Sequence, residues 1–291
     1  MMVDPRVIVD VDCATGEGPL WHPEEERLYW VDIPNGRLYR YSPATDRHEL
    51  VFSGPPIGGF TLQADGALLL FMAKGAVGIW REGHDLEMVI DETPAMRETR
   101  FNDVIADPAG RVFCGSMPRP DAPALLYRLD PDGSLTLVLD DVALSNGMGF
   151  TPDRRGMYYT DTRKQKIYLF DYDETTGAIG HPRVFADVPT TLGAGHPDGM
   201  TVDAAGTVWS ARWDGHCLVR YSASGEELQR VGFPVPKVSC ITFGGADYTD
   251  MYVTTASVGR RETEGRLAGS LFHLNLGIRG VPEFRSRIGL G

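Results

Sequence analysis

Four polar residues of this chain share one phase. Glu17, Asn102, Asn146 and Asp198 each lie six positions before Pro23, Pro108, Pro152 and Ala204. Those later residues are turn anchors of a repeated unit, so the polar residues occupy the same structural place in four copies of it. Copies arranged around an axis bring the four side chains to one point. Two carboxylates and two carboxamides meeting there are the hard oxygen donors a divalent cation takes. With a coordination position left open, such a cation polarises a carbonyl or activates water, so the chemistry to expect is hydrolysis.

The elements that must position these residues can be read from the repeat. Six segments share one plan: GEGPLWHPEEERLYWVD, GGFTLQADGALLLFMA, FNDVIADPAGRVFCGS, SNGMGFTPDRRGMYYTD, PDGMTVDAAGTVWSAR and KVSCITFGGADYTDMYVTTA. Each opens small or polar, runs through a short apolar strand, turns on Pro, Asp or Gly, and resumes as a strand rich in Val, Tyr, Trp and Phe. The anchors Pro23, Asp65, Pro108, Pro152, Ala204 and Gly245 are 42, 43, 44, 52 and 41 residues apart. That matches the length of a four-stranded propeller blade, about 40 to 50 residues. Outer hairpins follow at Thr176-Gly177 and Ser224-Gly225. No stretch has apolar residues at helical spacing behind a capping residue, so the reading is all-β with short helices at most. The run Val7 to Val11 precedes the first unit and Leu271 to Leu276 follows the last. The N-terminal strand is therefore expected to complete the final blade, and the six units to use up residues 1–291 as a single domain.

Composition bounds the function. Of 291 residues, 42% are hydrophobic and 23% charged, ordinary for a globular protein with a sizeable core. A net charge of −12 and the lack of a basic cluster interleaved with aromatics exclude nucleic acid as a partner. No apolar run is long enough to span a bilayer and the start has no leader pattern, so neither a membrane partner nor export is expected and the location reads as cytoplasmic. Cys13, Cys114, Cys217 and Cys240 are widely spaced, which points to free buried thiols. Oligomeric state is not encoded in any pattern here.

GEGPLW, RFNDV with GSMP, SNGMGF with YYTD, and PDGMTVDAAGTVW with ARWDG occur in an order and at a spacing that resemble the senescence marker protein 30, gluconolactonase and luciferin-regenerating enzyme family. The resemblance covers nearly the whole chain. It implies a six-bladed β-propeller whose central channel holds one divalent metal, with Glu17, Asn146 and Asp198 as ligands and Arg100 and Asn102 contacting substrate. It implies metal-dependent hydrolysis of a sugar lactone to an aldonic acid, with Asp198 as general base. Ca²⁺ suits the donor set best, and Zn²⁺, Mn²⁺ or Mg²⁺ would be accepted. Two other readings stay open: a non-catalytic calcium-binding or ligand-binding propeller, and a hydrolase of aryl esters or phosphotriesters.

The remaining candidates divide by context. Asn146 and Asp198 precede Gly, where a turn residue is the ordinary reading; their common phase selects them as ligands instead. Asp103 is expected to bond neighbouring backbone, and Asp161 to be a structural acid. His22, beside a turn, reads as placed rather than ligating. His196, on the Gly-rich stretch before Asp198, is a candidate substrate contact. Trp213 and Phe60 are either packing or part of a sugar-binding wall. After GSM, where the family often carries an acid that reaches the sugar, this chain has Pro118, Arg119, Pro120 and Asp121, so sugar preference does not carry over. The loop of Arg260, Arg261, Glu262 and Glu264 reads as a solvated face. The 52-residue interval is attributed to the extended TTLGAGHPDG stretch.

Overall fold

The computed structural model describes residues 4–290. Strand β1 (Arg6–Val9) is followed by six β-rich units. The first holds β2 (Gly16–His22), β3 (Arg27–Asp32), β4 (Arg37–Ser42) and β5 (Arg47–Ser53), and the second β6 (Ile57–Leu62), β7 (Leu68–Met72), β8 (Val77–Trp80) and β9 (Glu87–Ile90). The third holds β10 (Phe101–Ala106), β11 (Val112–Ser116), β12 (Ala124–Leu129) and β13 (Leu135–Val142). The fourth holds β14 (Ser145–Phe150), β15 (Gly156–Asp161), β16 (Lys166–Asp173) and β17 (Ala178–Asp187). The fifth holds β18 (His196–Val202), β19 (Val208–Trp213), β20 (Cys217–Tyr221) and β21 (Glu227–Gly232). The sixth holds β22 (Val238–Gly244), β23 (Asp250–Thr255) and β24 (Leu271–Asn275). Each unit is one antiparallel four-stranded sheet, and β1 pairs with β24 to complete the last. The fold is thus a six-bladed β-propeller closed by its N-terminal strand. The only helical pieces among the described residues are a single turn at Pro94–Met96 and α1 (Arg261–Glu264). No helix there is long and apolar enough to cross a membrane.

The blades hold together through their faces. Successive strand side chains point to opposite faces, so Tyr29 and Val31 pack toward the second blade while Leu28 and Trp30 pack toward the sixth. Six apolar clusters result, one between each pair of neighbouring blades. All four cysteines are buried and unpaired, as expected.

The innermost strands β2, β6, β10, β14, β18 and β22 ring the axis. Every one carries a register shift near its start, from Glu17/Leu20 round to Val238/Cys240. A bulge bends the strand and re-aims its side chains. Asn146-Gly147 and Asp198-Gly199 are not turns: both glycines lie inside strands. A Cβ on Gly147 would sit 2.6 Å from the Asp198 carbonyl oxygen, and one on Gly199 would sit 2.4 Å from Cys240 Sγ. Glycine is required there by the approach of neighbouring innermost strands.

Two expectations need correction. The longest anchor interval does not come from the 188–195 loop alone, because β16 and β17 are themselves extended, to eight and ten residues. Nor do the six units use up the chain. Residues 276–290 form a strap across the face opposite the start of the innermost strands. Its backbone bonds Tyr248 in the sixth blade, Ala204 in the fifth, Leu62 and Ala64 in the second, and Gly110 and Pro131 in the third. Phe284 packs edge-on to Phe150 in the fourth, and Arg285 pairs with Glu24 in the first. The strap therefore touches all six blades.

Ile288 anchors the strap, fully buried among Leu69, Phe71, Phe101 and Val112, with Gln63 bonding both its N–H and its carbonyl. Ile288→Ala is expected to lower unfolding free energy by about 2–5 kcal/mol in urea titration. A loss under about 0.5 kcal/mol would show that the strap does not hold the ring.

Candidate active site

Glu17, Asn102, Asn146 and Asp198 sit on β2, β10, β14 and β18, each beside the bulge of an innermost strand. The same phase in the other two blades holds Gly59 and Ser239. Ser239 does not line the cavity formed by the other four, and its hydroxyl donates to the Gly16 carbonyl at 2.6 Å and ties the sixth blade to the first. The four polar residues line one axial cavity of about 380 Å³, together with Arg100, His196, Thr15, Thr162, Arg163 and Trp213 and the apolar Ile33, Met117 and Leu144. All six residues singled out from sequence are thus brought together.

A chain of hydrogen bonds orients the carboxamides. Thr162 Oγ1 donates to the Pro197 carbonyl at 2.7 Å, so its lone pairs are left to accept Asn146 Nδ2 at 2.9 Å. The Asn146 Oδ1 must then face the other way, where Asn102 Nδ2 reaches it at 3.1 Å. Asn102 Nδ2 also donates to the Ser145 carbonyl at 2.8 Å, and its Oδ1 accepts Arg100 Nη1 at 2.7 Å. Acids at the ends of the second strands hold the loops that lead in. Asp161 accepts the N–H of Ala143 and Leu144 ahead of Asn146, and Asp32 accepts that of Thr15 ahead of Glu17. Asp161 is the structural acid expected, and His22 is placed by a turn, accepting the Glu25 N–H through Nδ1.

Electrostatically the site is short of positive charge. Glu17 and Asp198 are 4% and 5% exposed, and neither forms an ion pair among the described residues. Burial pushes both carboxyls well above the ordinary range, and the nearby Asp103 charge adds to each shift. Asn146, Arg212 and Arg100 partly offset this at Asp198. Burial also pulls the Arg100 guanidinium down to about 10, against the attraction of Asp103, Glu17 and Asp198.

Asp103 departs from expectation. Among the described residues its carboxylate accepts no hydrogen bond from backbone; it lines a second, smaller cavity on the axis with Met148, Met200, Cys240 and, from the strap, Glu283 and Phe284. The bulge between Phe101 and Val104 is the reason, since it lets consecutive residues serve the two cavities. Phe60 lines this lower cavity rather than the upper one. Arg119 and Asp121 reach neither: Arg119 bonds the Ala95 carbonyl at 2.8 Å and pairs with Asp121 at 3.3 Å. The Arg260–Glu264 loop is not merely solvated. Arg261 ties to Asp10 at 2.9 Å and to the Val11 carbonyl at 2.9 Å, and Glu264 takes Lys237 at 2.5 Å. Sequence reasoning missed Thr162 and Met117. The Thr that follows YYTD carries no signal until its strand is set beside Pro197.

Two buried carboxylates with no cationic partner, a carboxamide oxygen fixed beside them, and an open pocket above fit a hard divalent cation held by Glu17, Asn146 and Asp198. The donors do not include three His, Cys, Asp or Glu side chains, and no such group occurs among the described residues.

Fold and pocket together define a six-bladed propeller with an acidic, oxygen-lined axial site. The chain belongs to the SMP-30/Gluconolactonase/LRE-like family, whose sequence profile matches residues 15–257. It is 50% identical over 292 residues to the pentonolactonase XacC of Haloferax volcanii, covering 98% of each chain. It is 32% identical to human regucalcin, covering 95% of this chain and 96% of regucalcin. Among solved structures, a calcium-binding protein, regucalcin, from Agrobacterium tumefaciens superposes with a TM-score of 0.91 over 98% of each chain; at 24% identity that likeness concerns the fold.

The lower cavity yields a pH prediction. Burial raises the Asp103 carboxyl to about 7 in the folded protein, above about 4 in the unfolded chain. The folded state holds the extra proton, so this stabilisation is complete below the unfolded value and lost as pH rises through the folded one. In chelator, thermal melts should show Asp103→Asn gaining on the parent protein between about pH 5 and about pH 8. A melting difference that stays flat with pH would contradict this.

Proposed function

We propose that this protein is a metal-dependent sugar lactone hydrolase that opens aldonolactones to aldonic acids. The observation that carries the reading is the pair of buried, unpaired carboxylates, Glu17 and Asp198, at the end of a pocket whose walls also offer Arg100, Asn102 and His196. Kinship with a pentonolactonase supports the substrate class, and kinship with regucalcin supports a divalent cation, with Ca²⁺ the first candidate.

Glu17, Asn146 and Asp198 would hold the cation, which when bound polarises the lactone carbonyl and makes water a better nucleophile. The protein's own groups perform the rest. Asp198 accepts the proton of the attacking water. Asp198 has its proton affinity raised by burial and the Asp103 charge without the cation, and lowered by a bound cation, so it relies on the cation's effect on the water for much of the activation. It returns that proton to the ring oxygen as the acyl C–O bond breaks, so lactone plus water becomes hydroxy acid. Arg100, with one nitrogen committed to Asn102 and the Phe101 carbonyl, has further donors for a ring hydroxyl or the carboxylate being formed. Asn102 is held by both of its amide protons, so it contributes orientation without reorganising.

Acid release from a panel of aldono-γ-lactones and δ-lactones, corrected for spontaneous opening, tests the reading. Turnover should vanish in chelator and return with one particular dication. Asp198→Ala should lower kcat/KM at least about a hundredfold. Cation binding by calorimetry with no lactone opened faster than in buffer would replace this reading with a calcium-binding propeller. Thr162→Val, which removes the hydroxyl that sets the Asn146 amide, should weaken cation affinity by about 10–100-fold. Unchanged affinity would mean that Asn146 is not a ligand.

A further inference from the structure

Trp213 ends β19, directly across the β18–β19 ladder from His196 and two residues along β18 from the Asp198 register. Its ring lines the axial cavity. The other four tryptophans, Trp21, Trp30, Trp80 and Trp209, are all at most 7% exposed, whereas Trp213 is partly open to the pocket. The backbone then turns sharply, with Asp214 at φ 59° and His216 at φ 56°, so the position of the ring at the strand end is set by a strained turn.

A buried cation backs the ring. Lys237, 8% exposed, places Nζ 5.6 Å from the indole centroid. Its ammonium donates to Asp214 Oδ1 at 2.7 Å and to Glu264 Oε2 at 2.5 Å. Glu264 belongs to α1, whose first residue Arg261 is bonded to the Val11 and Ala268 carbonyls and paired with Asp10 and Asp12. Residues from the fifth blade, the α1 loop and the closing N-terminal segment thus fix one aromatic side chain in the pocket wall. So much fixed charge behind a ring on the edge of a polar cavity is more than packing demands, since an apolar neighbour would bury the indole as well.

We propose that Trp213 is a specificity-determining platform against which the C–H face of the sugar lactone ring stacks, and that Lys237 is the positioning residue that holds it there. This rests on the lactonase reading for the identity of the ring. The third blade supplies the same cavity with Arg100, whose free donors suit the hydroxyls, so a lactone with both an apolar C–H face and hydroxyls is the ligand matched.

The test uses the metal-loaded full chain and two cyclic probes that keep the ring and hydroxyls but have no carbonyl to hydrolyse, 1,4-anhydroxylitol and 1,5-anhydroglucitol. Acrylamide should quench one accessible tryptophan, and at least one probe should protect it. Trp213→Phe should abolish the quenchable signal while it retains a ring, and should bind the probe within about threefold of the parent. Trp213→Ala should raise KM for the preferred lactone about tenfold and leave kcat within about twofold, the split expected when uniform binding is removed. Lys237→Met should raise KM in the same way, with Lys237→Arg restoring it. Failure of both probes to protect Trp213, or a Trp213→Ala protein whose KM is unchanged, would overturn the platform. If the parent protein opens no lactone yet a probe still protects Trp213, the hydrolase reading fails and the platform stands as a sugar-binding wall.

Discussion

Six strands meeting around one axis leave room for little more than backbone, and the rest of the structure follows from that crowding. A Cβ at Gly58 would lie 2.0 Å from the Phe101 carbonyl oxygen, and Gly147 and Gly199 are as constrained against their own neighbours. The innermost strands turn side chains toward the axis beside a bulge near the start of each. Four of the six turned positions carry Glu17, Asn102, Asn146 and Asp198, while Gly59 and Ser239 leave space and a tie between blades. The ring must also be held shut. Six interblade apolar clusters do this, with the β1–β24 pairing and the C-terminal strap.

Crowding at the axis has an electrostatic consequence. Glu17, Asp103 and Asp198 are brought into one low-dielectric region, where the Asp103 charge raises the proton affinity of the other two, and Arg100 is the pocket-lining cation that attracts all three. Burying unpaired carboxylates is unfavourable, so the apolar clusters between blades must offset what the axis costs. The dication proposed for this site would supply the missing positive charge. The same burial raises the proton affinity of Asp198 as long as no cation is bound. Stability is given up at the place where chemistry is proposed.

Outside the axis, charge is used to position rather than to react. Asp161 and Asp32 hold the incoming loops of two innermost strands, and Lys237 with Glu264 and Asp214 fixes an aromatic wall. These groups stand one layer behind the pocket and act on it through backbone or ring placement. The strap does the corresponding task at the far end, where Glu283 and Phe284 line the lower cavity.

The blade repeat, the closure by the first strand and the convergence of Glu17, Asn102, Asn146 and Asp198 were legible in the chain alone, while Arg100 came from the family resemblance. Periodicity of apolar strands and turns is a local property, and a common phase within it is enough to bring residues to one axis. Local signals could not say what lies beside a residue from another blade. The glycines after Asn146 and Asp198 had only a turn as a local explanation, because the neighbouring strand that demands them is more than 40 residues away. Asp103 read as backbone-bonded because the second axial cavity exists only once six strands and the strap enclose it. Glu264 read as solvated until tertiary packing set it on Lys237, and Thr162 had no role until Pro197 came within 2.7 Å. Sequence determined the repeat and the residues it sends to the centre; only the closed ring decided their partners, burial and charge, because those depend on contacts between blades distant along the chain.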